Sequence, residues 1–111
     1  RRPPISTLFP YTTLFRSTAL LILSTMHSPI HGYDIMKRID EALHPHMSVG
    51  PATMYTTLSK LVKSKLCTIT EEQNRKMYSL TSLGEEVLED EILRREMMLT
   101  FMNNQKQGET L

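Results

Sequence analysis

Hydrophobic positions in the first half of the chain form three helix-like groups. An apolar run at 18–26 ends just before a proline, which cannot continue a helix. Spacing of three and four residues predicts an amphipathic helix over 31–43. A third helix is predicted over 52–65, because Pro51 suits a first helical turn and Gly50 suits the N-cap before it. The apolar positions of the second helix are Tyr33, Ile35, Met36, Ile39 and Leu43.

The second half of the chain changes period. Residues 66–70 and 76–80 alternate β-branched or apolar residues with polar ones, which predicts a β-hairpin around a polar turn. A long helix follows, with Thr81 or Ser82 as its N-cap and Glu85 placed for a capping box behind Ser82. The predicted fold is mainly α with a small β-hairpin, a winged helix-turn-helix followed by a long C-terminal dimerisation helix.

This pattern divides the chain into segments. We expect a winged helix-turn-helix domain at 18–81 with a truncated first helix, a dimerisation helix at 82–106 and a frayed tail at 107–111. The apolar face of the last helix is too broad for a helix that lies on one small domain, which indicates a dimer core. The predicted dimer contacts are Val87, Leu88, Ile92, Met98, Leu99, Phe101 and Met102.

The first 17 residues show no helical or strand period. Residues 7–17, TLFPYTTLFRS, match the translation in one frame of a nucleotide string that resembles a widely used short-read sequencing adapter. We therefore expect residues 1–17 to be a non-native, irregular or disordered segment. The native protein would begin near Thr18, with its true start missing.

Charge is informative only where it is local. The net charge of +1 comes from 13 basic and 12 acidic residues, and it becomes −2 when residues 1–17 are left out. Residues 48–80 hold five basic and two acidic residues, which indicates a polyanionic partner on one side of the molecule.

Cellular location follows from a few features. Cys67 is the only cysteine, so no internal disulfide forms and a reducing compartment is expected. The longest aliphatic run, at 19–23, is too short to span a membrane. Arg1 and Arg2 resemble the start of a twin-arginine signal, but prolines interrupt the stretch that follows. We expect a cytoplasmic protein with no membrane contact.

The third helix has residue types that suit a DNA groove. Its early hydroxyl groups can reach base edges, and its lysines follow one turn later, where phosphates would pass. The same residues also occur on ordinary solvated helices, and the two basic hairpin residues could instead pair with Glu71 and Glu72. On residue types alone the solvated helix is the commoner case, and the candidate DNA contacts are Gly50, Thr53, Tyr55, Thr56, Thr57, Lys60 and Lys63 on the helix, and Arg75 and Lys76 on the hairpin.

Metal binding and catalysis have no supporting pattern. His27 and His31 are separated by a proline, and the spacing of His44 and His46 matches no zinc motif. His31 is expected to cap or pack at the start of its helix. No nucleophile motif or phosphate-binding glycine loop occurs, so we expect neither a metal, a cofactor nor an enzyme. The acidic cluster in the last helix, Glu85, Glu86, Glu89, Asp90 and Glu91, is expected to be solvated.

Three motifs carry a family resemblance. They are HGYDI at 31–35, VGPATMYTTLSKLVKSKLCT at 49–68 and RKMYSLTSLG at 75–84. In order and spacing they resemble the PadR-type transcriptional regulators, over about residues 19–84. The turn EEQNR lacks the glycine common in family wings, and Cys67 stands where an aliphatic residue is usual, which suggests a buried thiol.

The resemblance implies a homodimeric repressor that binds an inverted-repeat double-stranded DNA operator. It also implies release by a small apolar or aromatic effector near the dimer interface. Met97, Met98, Phe101 and Met102 could therefore form dimer core or line a ligand pocket. The alternative is a winged-helix protein–protein interaction module without DNA binding, which the thin basic charge and the glycine-free wing favour.

Overall fold

The computed structural model describes residues 17–107. Residues 1–16 and 108–111 lie outside this range, so the expectations for the adapter-like segment and the frayed tail mostly concern residues that are not described. Ser17 and Gln107, assigned to those segments, are helical. The elements are α1 (Ser17–Ser24), β1 (Ile30–His31), α2 (Gly32–Leu43), α3 (Pro51–Lys63), β2 (Cys67–Glu72), β3 (Arg75–Leu80) and α4 (Ser82–Gln107).

The predicted winged helix-turn-helix is confirmed, with four helices and a small sheet in the described range. One apolar stripe from each helix meets the inner face of the sheet in a single core. Burying each large apolar side chain of this core stabilises the fold by roughly 1.5–3 kcal/mol. The side chains that are at most 1% exposed are Ile22, Leu23, Met26, Ile35, Met54, Leu58, Leu61, Leu66, Val87, Leu88 and Glu91.

The sheet has three antiparallel strands in the order β1-β3-β2. Strand β1 was not predicted, because two residues are too few to show a period; it pairs Ile30 with Tyr78. The hairpin strands continue beyond the predicted ends to the pair of Glu72 and Arg75. His31 occupies the N-cap of α2 without a side-chain cap bond, and its Nδ1 lies 3.4 Å from the Lys76 carbonyl oxygen.

Helix α3 ends two residues earlier than predicted, in a Schellman motif. The Leu66 N–H donates to the Leu61 carbonyl at 3.0 Å, and the Lys65 N–H donates to the Val62 carbonyl at 3.0 Å. Lys65 has a φ of 65°, a left-handed conformation that glycine usually provides at this position. The buried Leu61 and Leu66 side chains supply the hydrophobic contact of the motif, so packing stabilises a turn that local preference disfavours.

Thr81 joins the end of α3 to the start of α4. Its hydroxyl donates to the Lys65 carbonyl at 2.7 Å and accepts the Gly84 N–H at 2.9 Å, so Thr81 is the N-cap of α4. The capping box expected from Ser82 and Glu85 is wrong, because Gly84 holds the third helical position. A Cβ on Gly84 would lie 1.9 Å from the Leu66 carbonyl oxygen, which shows how closely the two segments approach.

The first turns of α4 belong to the core. Val87 and Leu88 are 0% and 1% exposed within one chain, so their assignment to the dimer interface is wrong. Glu91 is fully buried rather than solvated, and its Oε1 accepts a hydrogen bond from Arg95 Nη1 at 2.8 Å. From Ile92 onward α4 extends beyond the domain. Within residues 17–107 no helix combines the length and the hydropathy needed to cross a membrane.

Candidate nucleic-acid interface

Helix α3 presents a polar face opposite its core stripe. Met54, Leu58 and Leu61 are buried. At 3.6 residues per turn the exposed Thr53, Thr56, Lys60 and Lys63 fall within an arc of about 80° on the far side. Four of the predicted contacts therefore share one outward surface of hydroxyl and ammonium groups. Tyr55, which is exposed, and Thr57, which is half-buried, lie on opposite flanks of this surface.

The N-terminus of α3 is exposed and has no side-chain cap. Gly50 has extended backbone angles (φ −74°, ψ 163°), and its carbonyl accepts the Met54 N–H at 2.9 Å. Pro51 stands at the first helical position, as predicted, and no acidic residue lies in the first turn. The backbone N–H groups of this turn and the positive end of the helix dipole can therefore face an anion such as a phosphate.

Tyr55 connects α3 with the start of α2. A Cβ on Gly32 would lie 3.0 Å from the Tyr55 hydroxyl oxygen and 3.2 Å from its Cε1. The ring therefore lies close against the backbone of α2, while 48% of the side chain remains exposed. Glycine in the HGYDI motif allows this contact, which holds the first turns of the two helices side by side.

The wing is the tight hairpin of β2 and β3, and its acidic and basic residues balance one another. Gln73 and Asn74 have φ values of 53° and 65°, so they form the two-residue turn in which both central residues have positive φ. The turn lacks glycine, yet it keeps the geometry that glycine would favour. Arg75 and Lys76 are exposed, and the register places them opposite Glu72 and Glu71. Both expectations for the basic pair, phosphate contact and pairing with these carboxylates, remain predictions.

A second surface is the exposed half of α4. Seven large apolar side chains there are between 39% and 65% exposed. Five of them, Ile92, Met98, Leu99, Phe101 and Met102, were predicted as dimer contacts; Leu93 was not predicted, and Met97 was considered only for a dimer core or pocket. An open groove of about 350 Å³ on this surface is lined by Arg94, Met97, Met98, Phe101 and Met102.

The groove follows from the periodicity of α4. Counting fourteen residues, two heptads, from the buried Gly84, Val87 and Leu88 leads to Met98, Phe101 and Met102. The face that is covered by the core near the start of α4 is therefore the face that is open farther along. Arg94 was missed by the sequence analysis, although it lies seven residues after Val87 and the same counting would have found it.

Two reactive groups, the Cys67 thiol and the Tyr78 phenol, lie inside the domain. Cys67 is 2% exposed, which confirms the expected buried thiol, and burial raises the pKa of this thiol to about 11. Burial also raises the pKa of Tyr78, with smaller contributions from Tyr55 and Cys67. At neutral pH both groups are protonated. No group of three His, Cys, Asp or Glu side chains in the described part of the chain is arranged to hold a metal ion.

The three-helix body, the outward face of α3 and the hairpin beside it define a winged helix-turn-helix protein. The chain belongs to the PadR-like family of transcriptional regulators, whose model matches residues 20–90. The resemblance seen in the three motifs is thereby confirmed. No curated protein sequence gives a match.

Solved structures of similar proteins share the fold. A PadR-like regulator from Bacillus cereus is 28% identical, with a TM-score of 0.69 over 83% of this chain and 93% of that chain. A PadR-family regulator from Clostridium difficile is 27% identical, with a TM-score of 0.67 and coverages of 78% and 94%. Bacillus subtilis PadR, solved in complex with operator DNA, is 24% identical, with a TM-score of 0.64 and coverages of 81% and 60%.

Proposed function

We propose that the protein is a homodimeric repressor that binds an inverted-repeat DNA operator through α3. The observation that carries the proposal is the outward surface of Thr53, Thr56, Lys60 and Lys63, opposite a fully buried stripe. A helix placed in the major groove reads bases with its first turns, and its lysines contact the phosphates beyond. The operator complex of the B. subtilis relative supports this assignment.

The second half of α4 supports the homodimer. Its open apolar face continues the buried face of the same helix, so a second copy of the chain would complete a core that one chain leaves unfinished. A dimer would also present two α3 helices, one to each half of an inverted-repeat operator. Phe101→Glu should therefore convert the dimer into a monomer of 12.8 kDa in sedimentation equilibrium, whereas Asn103→Glu, on the side of α4 opposite the groove, should leave the dimer intact.

The groove beside Phe101 supports regulation by a small apolar or aromatic effector. Its walls are thioether and aromatic side chains, which adapt to ligands of different shapes, and the Arg94 guanidinium lies at the same site. Occupation of this groove would alter the pairing of two α4 helices and so the spacing of the two α3 helices.

DNA binding is tested with two substitutions on a duplex selected from a random-sequence library. Lys60→Ala should weaken binding to every duplex and reduce the slope of log K against log salt concentration by about 1. Thr56→Ala should instead reduce discrimination at one base pair. Lys106→Ala, an exposed lysine near the end of α4, is the matched control and should change neither quantity. If neither α3 variant changes binding, α3 is not the recognition helix.

A second candidate is a winged-helix protein–protein interaction module without DNA binding. The wing favours it, because Glu71 and Glu72 lie opposite its two basic residues and offset their charge. Wild-type protein without any salt-sensitive association with mixed-sequence DNA would support this alternative.

A further inference from the structure

We propose that Tyr33 is a further DNA-contacting residue, whose hydroxyl donates a hydrogen bond to a backbone phosphate beside the start of α3. The inference rests on the proposed DNA-binding function and extends its surface from α3 onto α2. It concerns a residue that the sequence pattern assigned to the apolar stripe of α2.

The starting observation is that Tyr33 does not belong to the core. Ile35 and Ile39 of the same predicted stripe are 0% and 4% exposed, but Tyr33 is 61% exposed. An aromatic side chain that folding leaves in solvent has a hydrophobic ring and a polar tip, a combination that is enriched at binding surfaces. Core packing therefore does not account for a tyrosine at this position.

The second observation is that Tyr33 lies beside Tyr55 of α3. The Tyr55 hydroxyl lies 3.0 Å from the Cβ position of Gly32, and Tyr33 is the next residue in the chain. Tyr33 and Tyr55 are 61% and 48% exposed, so both side chains present part of their surface to solvent where the first turns of α2 and α3 meet. A duplex whose backbone passes Tyr55 must then also pass the first turn of α2.

The chemistry of this place favours a neutral donor. Asp34 follows Tyr33 directly and Lys37 lies one helical turn further along the same face, so their opposite charges leave this turn without net positive charge. A phenol donates one hydrogen bond to a phosphate oxygen without neutralising its charge and therefore without releasing a counterion. The contact should contribute to affinity for any sequence and leave the salt dependence of binding unchanged.

The test uses fluorescence anisotropy of a short mixed-sequence duplex at several salt concentrations. Tyr33→Phe retains the ring and removes only the hydroxyl, so the fold is kept. It should weaken binding about two- to tenfold, the range expected for one hydrogen bond, with an unchanged salt slope. Lys60→Ala, measured beside it, should reduce the slope by about 1. Thr100→Val removes an exposed hydroxyl on α4 and should have no effect.

The outcomes separate this inference from the function on which it rests. Wild-type affinity in Tyr33→Phe, together with weakened binding in Lys60→Ala, would overturn the role of Tyr33 and leave DNA binding through α3 standing. A changed salt slope in Tyr33→Phe would also overturn it, because the substitution would then act by rearranging charged contacts. Wild-type protein that shows no salt-sensitive binding would overturn both proposals.

Discussion

Gly84 is the residue whose substitution tests the described architecture most directly. It occupies the third position of α4, where alanine is normally better than glycine by about 1 kcal/mol. Here an added Cβ would lie 1.9 Å from the Leu66 carbonyl oxygen, and ordinary contact begins at 3.4 Å. The two segments would have to separate by about 1.5 Å. Gly84→Ala should therefore destabilise the protein, against the general preference of helices.

The size of the destabilisation by Gly84→Ala follows from the packing and the hydrogen bond that this separation would disturb. Forcing an extra carbon into a packed site costs roughly 1–3 kcal/mol. The Leu66 carbonyl accepts the Thr81 N–H at 3.1 Å, and loss of that hydrogen bond adds about 0.5–1.5 kcal/mol. After the gain in helix propensity, the net loss in the free energy of unfolding should be about 2 kcal/mol. For a domain of this size, that lowers Tm by about 8–16 °C.

The assay is thermal and urea unfolding followed by circular dichroism at one fixed protein concentration, since the proposed dimer would have a concentration-dependent Tm. Gly50→Ser is the matched control, because a Cβ on Gly50 meets nothing within 4 Å and serine is a good N-cap. It should leave Tm equal or slightly higher. A Gly84→Ala protein that is as stable as the wild type, or more stable, would refute the close approach of α4 to Leu66.

Further predictions concern the α3 cap, the buried thiol and the two halves of α4. Lys65→Gly should raise the free energy of unfolding by about 1 kcal/mol in urea titrations, because Lys65 has a φ of 65°, a conformation that glycine adopts without strain. A loss of stability would show that contacts of the Lys65 side chain stabilise the protein by more than its left-handed backbone destabilises it. The pKa of Cys67 is raised from 9.0 to about 11, so its contribution to stability is complete below pH 9 and is lost as the pH rises toward 11. In urea titrations between pH 9 and 11, Cys67→Val should lose less free energy of unfolding than the wild type. The remaining loss is due to Tyr78, whose pKa is also raised. An unchanged pH dependence in Cys67→Val would contradict the burial of the thiol. Val87→Ala should lower the free energy of unfolding by about 1–3 kcal/mol at any protein concentration. Leu93→Ala should lower it only slightly at concentrations where the protein is monomeric. Equal losses for the two variants in the monomer would contradict the division of α4 into a core half and an exposed half.

The helices of the winged helix-turn-helix body could be predicted from the sequence because their signals are local. The start of α3 follows from Gly50 and Pro51, whose backbone preferences act without any partner. The stripe of Met54, Leu58 and Leu61 repeats with the helical period, so its burial also followed from spacing alone. The hairpin was predicted in kind but not in length, because the ladder continues through polar residues whose pairing does not depend on hydrophobicity.

Periodicity could not tell which molecule covers an apolar helix face. Val87 and Met98 lie on the same face of α4, but one meets the core of its own chain and the other is open. That difference depends on where the helix leaves the domain, which no residue near either position determines. Glu91 was misjudged for the same reason, since a charged residue is expected in solvent until packing encloses it.

The sequence by itself determined the order of the four helices and the hairpin, the family and the outward face of α3, because helical period, proline and glycine act over a few residues. Only the tertiary structure decided the turn at Lys65, the two-residue strand β1, the enclosure of Glu91 and the contact between Gly84 and Leu66. Each of these depends on segments that are distant in the chain, and packing free energy shared among them outweighs the local preference of any one residue.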